Sequence, residues 1–175
     1  MKKITAIALG ALLLAAVPAL AASGNASTTV SVTVAAAAQV SVNATTTLIY
    51  VGTFPTGSYN GQSTVTFSCR TTRVGGDGSI TLSATAATWT AAAGGSGPAV
   101  ADLQYSSAAG TYAGAGSYVG TTTVQNGVET NVVTGLGANN RTSSRTVLAN
   151  FTLADNANWE TDTYTLPVRF TLNAL

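Results

Sequence analysis

Every second residue along most of this chain is apolar, and the residues between are Ser, Thr, Asn or Gln. A side-chain period of two belongs to a β-strand with one buried face, and a helical period of 3.6 is nowhere sustained. The longest case runs over 28–42, where Val30, Val32, Val34, Ala36, Ala38, Val40 and Val42 share one face and Ser31, Thr33, Gln39 and Ser41 lie on the other. Ala35 to Ala38 alone suit a helix, but four residues make only about one helical turn. The alternating phase passes through them, predicting one long strand or two with a bend at the alanines. The same reading predicts strands at 46–51, 63–69, 79–85, 101–105, 117–124, 130–133, 146–153 and 162–172. Turn residues separate them: Pro55-Thr-Gly-Ser, Gly75-Gly-Asp-Gly78, Gly94-Gly-Ser-Gly-Pro98, Gln125-Asn-Gly127 and Gly137-Ala-Asn-Asn140. Segment 86–120 is expected to hold long loops or edge strands. The predicted fold class is all-β, an immunoglobulin-like antiparallel β-sandwich of about 7–9 strands.

Ahead of these strands the chain reads Met1-Lys-Lys3, an apolar run from Ile4 to Val17, then Pro18-Ala-Leu-Ala-Ala22. A basic start, a short apolar stretch and an Ala-x-Ala site predict a Sec-type signal peptide over 1–21. The run is shorter than the roughly 20 residues a transmembrane helix needs. The expected organisation is therefore a signal peptide (1–21), an N-terminal strand (22–43) and a β-sandwich domain (44–175). The expected location is extracytoplasmic, in the periplasm, at the cell surface or secreted, with no membrane span after cleavage.

Composition excludes several classes of chemistry. The chain has no histidine, and cleavage after Ala21 would remove both lysines, leaving five arginines against six acids. Serine and cysteine nucleophiles usually lean on a histidine base, and Schiff bases require lysine. Five scattered arginines supply no phosphate-binding surface, so no nucleic-acid partner is expected. Zinc needs several His or Cys, and Cys69 is alone. Its place beside Val65 and Phe67 on one strand face suits a small buried side chain, with an intermolecular bridge or a reactive thiol as the alternatives. Charged residues form 7% of the chain, against about 25% in ordinary globular domains. Copies with so little charge repel one another weakly, which suits a protein that packs against itself. No enzyme activity and no cofactor are expected.

Two weaker candidates remain. Asp155, Asn156, Asn158, Glu160 and Asp162 offer oxygen donors for calcium, or form a polar turn between strands. Trp159 and the Tyr105, Tyr112 and Tyr118 group are candidate sugar-stacking platforms, or core and strand-capping side chains.

Thr29-Val-Ser-Val-Thr-Val34, then Thr46-Thr-Leu-Ile-Tyr-Val-Gly-Thr-Phe54, then Thr64-Val-Thr-Phe-Ser-Cys69, and a closing strand Tyr164-Thr-Leu-Pro-Val-Arg-Phe-Thr-Leu172 follow one another through the chain. This order resembles the spore coat protein U-like and chaperone–usher pilin-like secreted proteins. The resemblance implies an incomplete sandwich completed by a strand from a neighbouring subunit. Self-association by strand addition, a periplasmic chaperone and an outer-membrane usher are the implied partners. In this chain Val30, Val32, Val34, Ala36 and Ala38 would form the donor face. Tyr164, Leu166, Val168, Phe170 and Leu172 would border the groove. The alternative is that 28–42 folds back as the first strand of its own sandwich. The family's usual disulfide joins the first strand to the position of Cys69; here Ala35-Ala-Ala-Ala-Gln39 stands at its other end. A pilin-like or coat-like subunit is thus the first functional expectation, and a monomeric carbohydrate-binding or adhesive module the second.

Overall fold

The computed structural model describes residues 29–33, 37–70, 78–112, 116–136 and 144–173. The chain falls into two units, Met1–Thr33 and Val34–Leu175. In the first, residues 29–33 join no strand, and Val30 and Val32 are 89% and 84% exposed.

The second unit is all-β, with antiparallel sheets and, among the described residues, no α-helix. Its strands are β1 (Ala37–Val42), β2 (Ile49–Val51), β3 (Ser58–Arg70), β4 (Ser79–Ala84), β5 (Thr90–Ala91) and β6 (Leu103–Ala109). They continue as β7 (Ser117–Tyr118), β8 (Thr122–Thr123), β9 (Thr130–Thr134), β10 (Arg145–Ala154), β11 (Tyr164–Thr165) and β12 (Val168–Asn173). A single 3-10 turn, Val100–Asp102, precedes β6. One sheet runs β1-β3-β10-β6-β8 with β2 also on β3, a second runs β12-β4-β9-β7, and β11 pairs with β5.

The alternation places the core. Val65, Phe67 and Cys69 of β3, Val147, Ala149, Phe151 and Leu153 of β10, and Leu103 and Tyr105 of β6 are buried on the inner face of the first sheet. Ile80, Leu82 and Ala84 of β4, Val132 and Val133 of β9, and Phe170 of β12 join the same cluster from the second. Two antiparallel sheets sharing one core is an arrangement consistent with a β-sandwich. Burying such side chains stabilises by about 1.5–3 kcal/mol each. The sheets are also tied by polar contact: the Tyr105 hydroxyl lies 2.7 Å from the Asn131 carbonyl and 2.8 Å from Thr130 Oγ1.

The edge of the first sheet has a broken strand. At Val65 to Phe67, and again at Ser58 to Asn60, β3 is paired on one side with β10. Hence β1, opposite Val65 to Arg70, and β2, opposite Ser58 to Asn60, lie end to end along the other side. Between them Asn43 Oδ1 accepts from the Thr64 amide at 3.0 Å, replacing a ladder bond with a side chain. Gly61 allows the crossing: a Cβ there would come 2.7 Å from Leu48 Cδ2 and from the Thr47 carbonyl.

Several expectations are corrected. Of the strand predicted over 28–42, Ala37–Val42 pairs with β3 as β1 and residues 29–33 join no strand, while residues 28 and 34–36 lie outside the described residues. The strand expected at 63–69 begins at Ser58, because β10 holds Asn60, Gly61 and Gln62 despite their lack of apolar side chains, and β2 pairs with Ser58 to Asn60. Twelve strands stand among the described residues, where about 7–9 were expected. Segment 117–124 divides around Gly120, 162–172 divides at Leu166-Pro167, and β5 has no apolar pattern to announce it. Segment 86–120 is not all loop and edge, since β6 lies inside the sheet between β10 and β8. The turns expected at 75–78 and 137–140 lie outside the described residues except for Gly78.

Candidate functional site

The residues expected to assemble copies fall in two places. Val30 and Val32 are exposed and outside any strand, while Val34 and Ala36 lie outside the described residues. Ala38 sits in β1 directly opposite Cys69. Its backbone there is held in the chain's own ladder.

At the other end, Pro167 breaks the predicted strand. Proline has no N–H to give a ladder, though its carbonyl still accepts from the Thr85 amide at 3.0 Å. Tyr164 therefore pairs with Ala91 in the small sheet and is not part of one terminal strand with Val168, Phe170 and Leu172. The phase survives the break: Tyr164, Leu166, Val168, Phe170 and Leu172 are buried or half-buried, while Thr165, Pro167 and Arg169 are exposed. β12 is an edge, paired with β4 on one side, and runs close to β1 where the two sheets meet. Its outer face carries a polar clamp. Glu129 accepts hydrogen bonds from Thr81 at 2.8 Å and Thr171 at 3.0 Å, with Arg169 at 3.5 Å. Hydrogen bonds from Thr81 and then Thr171 hold the Glu129 carboxyl below its ordinary value.

Exposed large apolar side chains concentrate along the β1–β2 edge. Val42, Ile49, Val51 and Phe54 are 40%, 57% or more exposed, and outside this stretch Val128 is the other one in the sandwich unit among the described residues. Tyr50 opposes Tyr59 in register, with ring centroids 5.1 Å apart, and Tyr59 packs on the core. Ile49 and Val51 consequently face outward. This patch was not expected, because Leu48, Ile49, Tyr50 and Val51 are all apolar and give no phase.

The carboxylates of the calcium candidate are turned toward backbone amides. Asp162 accepts from the amides of Ala93 (2.9 Å), Gly95 (3.0 Å) and Thr163 (2.6 Å). Glu160 Oε2 accepts from the Ser96 amide at 2.7 Å, and Asp155 Oδ1 from that of Asn156 at 3.0 Å. Asn156 in turn accepts from the Asn158 amide at 3.0 Å. Oxygens aimed at N–H donors are not arranged as a cation shell, and no group of three metal-ligating side chains occurs among the described residues. Asp162 and Glu160 clamp the loop over 92–97, while Asp155 and Asn156 hold their own turn.

The clamp is pH-dependent. Hydrogen bonds, that from Gly95 foremost, hold the Asp162 carboxyl below its usual value. A depressed folded-state pKa means that its stabilisation is complete above the unfolded value near 4. The contribution fades as pH falls below that value and is gone below the folded one. Asp162→Asn is expected to lower the melting temperature at pH 7 and to flatten its fall as pH drops below about 4, read by thermal melts from pH 7 into the acid range. Calcium is expected to leave both proteins' melting temperatures unchanged against a chelator control.

The aromatic candidates turn inward. Tyr105 and Tyr112 are buried, Tyr118 is half-buried and donates to the Tyr112 carbonyl at 2.7 Å, and Trp159 packs on the core. Trp89 does the same and donates from Nε1 to the Ala99 carbonyl at 3.1 Å. Cys69 is a buried free thiol whose pKa burial pushes up, a setting that disfavours the reactive thiolate.

No helix among the described residues is long and apolar enough to cross a membrane. No family model, curated protein or solved structure matches the chain.

Proposed function

We propose that this chain is an exported, non-enzymatic structural subunit: an immunoglobulin-like β-sandwich, freed of its signal peptide, that joins copies of itself at the cell surface by adding strands. One observation carries the reading. Residues 29–33 expose Val30 and Val32 on an alternating segment that belongs to no strand, while the sandwich has free edges at β2 and β12. A free edge presents unpaired N–H and C=O groups to an incoming extended segment. The linking element then includes residues 29–33 and stops short of β1, which is occupied at home. An exposed apolar arm calls for protection before assembly, which is the role a periplasmic chaperone and an outer-membrane usher would play. Absence of histidine, together with a reactive-lysine-free mature chain, supports a non-catalytic role. The second reading, a carbohydrate-binding module, draws less support, since Tyr105 and Tyr112 are buried and Trp159 and Tyr118 are half-buried.

The test is light scattering on the mature chain beside a version lacking 22–33, with β1 kept. The full chain is expected to form oligomers or polymers, and the truncated one a folded monomer. A monomeric full chain would overturn the reading and favour a solitary adhesive module.

A further inference from the structure

Granted that copies assemble through the arm, the structure leaves open which edge receives it, and the geometry points to β2. We propose that Val30 and Val32 of one copy dock beside Ile49, Val51 and Phe54 of the next, extending β2 by a strand and building an open, head-to-tail chain.

Three observations converge. Among the described residues β2 pairs with β3 alone, so its outer side has backbone groups to offer. Ile49 and Val51 stand two residues apart on the outward face and are 67% and 57% exposed, with Phe54 at 70% on the adjoining turn. Val30 and Val32 have the same two-residue spacing and stand 89% and 84% exposed. An added strand sets its alternate side chains beside those of its neighbour, so the two apolar pairs match. No charged side chain lies in either segment, 29–33 or 49–54, and none is stranded by the contact.

The occupant must be a second copy. Ala37 pairs with Arg70 at one end of β3, and Ile49 pairs with Asn60 ten residues along it. At about 3.3 Å per residue, that is roughly 33 Å. Val30 precedes Ala37 by seven residues, a reach of at most about 25 Å when fully extended, and Val32 reaches less. A chain cannot cover its own patch with these valines, whereas its neighbour can. An arm at one end and its acceptor at the other form a heterologous contact, which grows as a filament unless its rotation closes a ring. β12 is the poorer acceptor: its free side runs beside β1, and Arg169 is held there by Glu129.

The experiment mixes two full-length mature variants, Val32→Cys and Val51→Cys, under mild oxidant. Cys69 is 3% exposed and contributes little background. The expected result is a disulfide-linked dimer containing one of each, lost when Val51→Cys is replaced by Arg169→Cys. Cross-linking to Arg169→Cys instead would place the acceptor at β12 and overturn the proposal. Failure with both partners, while Val32→Cys still reacts with a small maleimide, would overturn it as well. In parallel, Val51→Arg in the full chain is expected to abolish assembly with an unchanged melting curve. Assembly that survives Val51→Arg but is lost on removing 22–33 would sink the β2 acceptor and leave the structural-subunit reading standing. Assembly that survives removal of 22–33 would sink both.

Discussion

Tyr105→Ala is expected to cost most of the stability of the sandwich. Tyr105 stands on β6 inside the first sheet, 1% exposed, its ring 6.4 Å from that of Phe151. Its hydroxyl reaches Thr130 and Asn131 on β9 of the second sheet, and Thr130 Oγ1 is itself 3.2 Å from the Leu82 carbonyl on β4. Truncation therefore opens an aromatic-sized cavity, a change that costs about 3–5 kcal/mol in other cores. It also removes the hydroxyl's hydrogen bonds to half-buried Thr130 and to the Asn131 carbonyl, which adds about 0.5–1.5 kcal/mol. Domains of this size are stable by only about 5–15 kcal/mol, so little would remain. Tyr105→Phe separates the two contributions, since the ring stays and only the hydroxyl goes; about 0.5–1.5 kcal/mol is expected. Burial pushes the hydroxyl's pKa up, so it stays protonated throughout the neutral range and the loss should not vary there. Urea unfolding of both variants checks this. A Tyr105→Ala cost no larger than that of Tyr105→Phe would mean that the ring is not where the two sheets meet.

That side chain also marks the limit of what the sequence discloses. Alternation identified the inner face correctly wherever polar and apolar residues truly alternate, as in Val65, Phe67 and Cys69 with Thr64, Thr66 and Ser68 between them. It even kept phase across Pro167, where the strand itself breaks and changes partner. A period of two says which face a residue occupies and nothing about which strand lies alongside. Tyr105 could be counted as inward or as a surface platform on equal terms until β6 was flanked by β10 and β8.

Two parts of the candidate site were hidden for separate physical reasons. Around β2 both faces are apolar, so inward Leu48 and Tyr50 cannot be told from outward Ile49 and Val51 by pattern. In the acidic cluster the side chains themselves resemble cation ligands. The partners of Asp162 and Glu160 include the amides of Ala93, Gly95 and Ser96, more than sixty residues earlier in the chain, and backbone donors carry no residue-type signature. The division of 28–42 was concealed by its own regularity. Valine and alanine continue one phase from the exposed arm into β1, and only pairing with β3 distinguishes the two.

That pairing leads to the second large effect. Ala38→Cys is expected to form a cross-strand disulfide with Cys69 and to stabilise the protein markedly under oxidising conditions. The two residues are direct partners in an antiparallel ladder, where Cα atoms are about 4.5–5.5 Å apart and both Cβ atoms leave the same face. Disulfides require Cα separations of roughly 4.4–6.8 Å, so the backbone need hardly move. The loop closed spans 38 to 69, and the chain-entropy relation gives a gain of about 3–4 kcal/mol for that length. The natural thiol is buried and unpaired, so the new bond also satisfies a side chain that otherwise serves only as packing. Thiol titration in denaturant should fall from two per chain to none, and the melting temperature should rise in oxidised protein and return toward the parent's on reduction. A pair of free thiols would show that β1 does not hold this register. A bond that formed between chains instead of within one would mean that residues 37–42 are given to a neighbour, and the arm would then be longer than 22–33. Because the two outcomes are separated by a gel without reductant, the same variant measures the stability of the first strand and decides how much of the N-terminus is free to link copies.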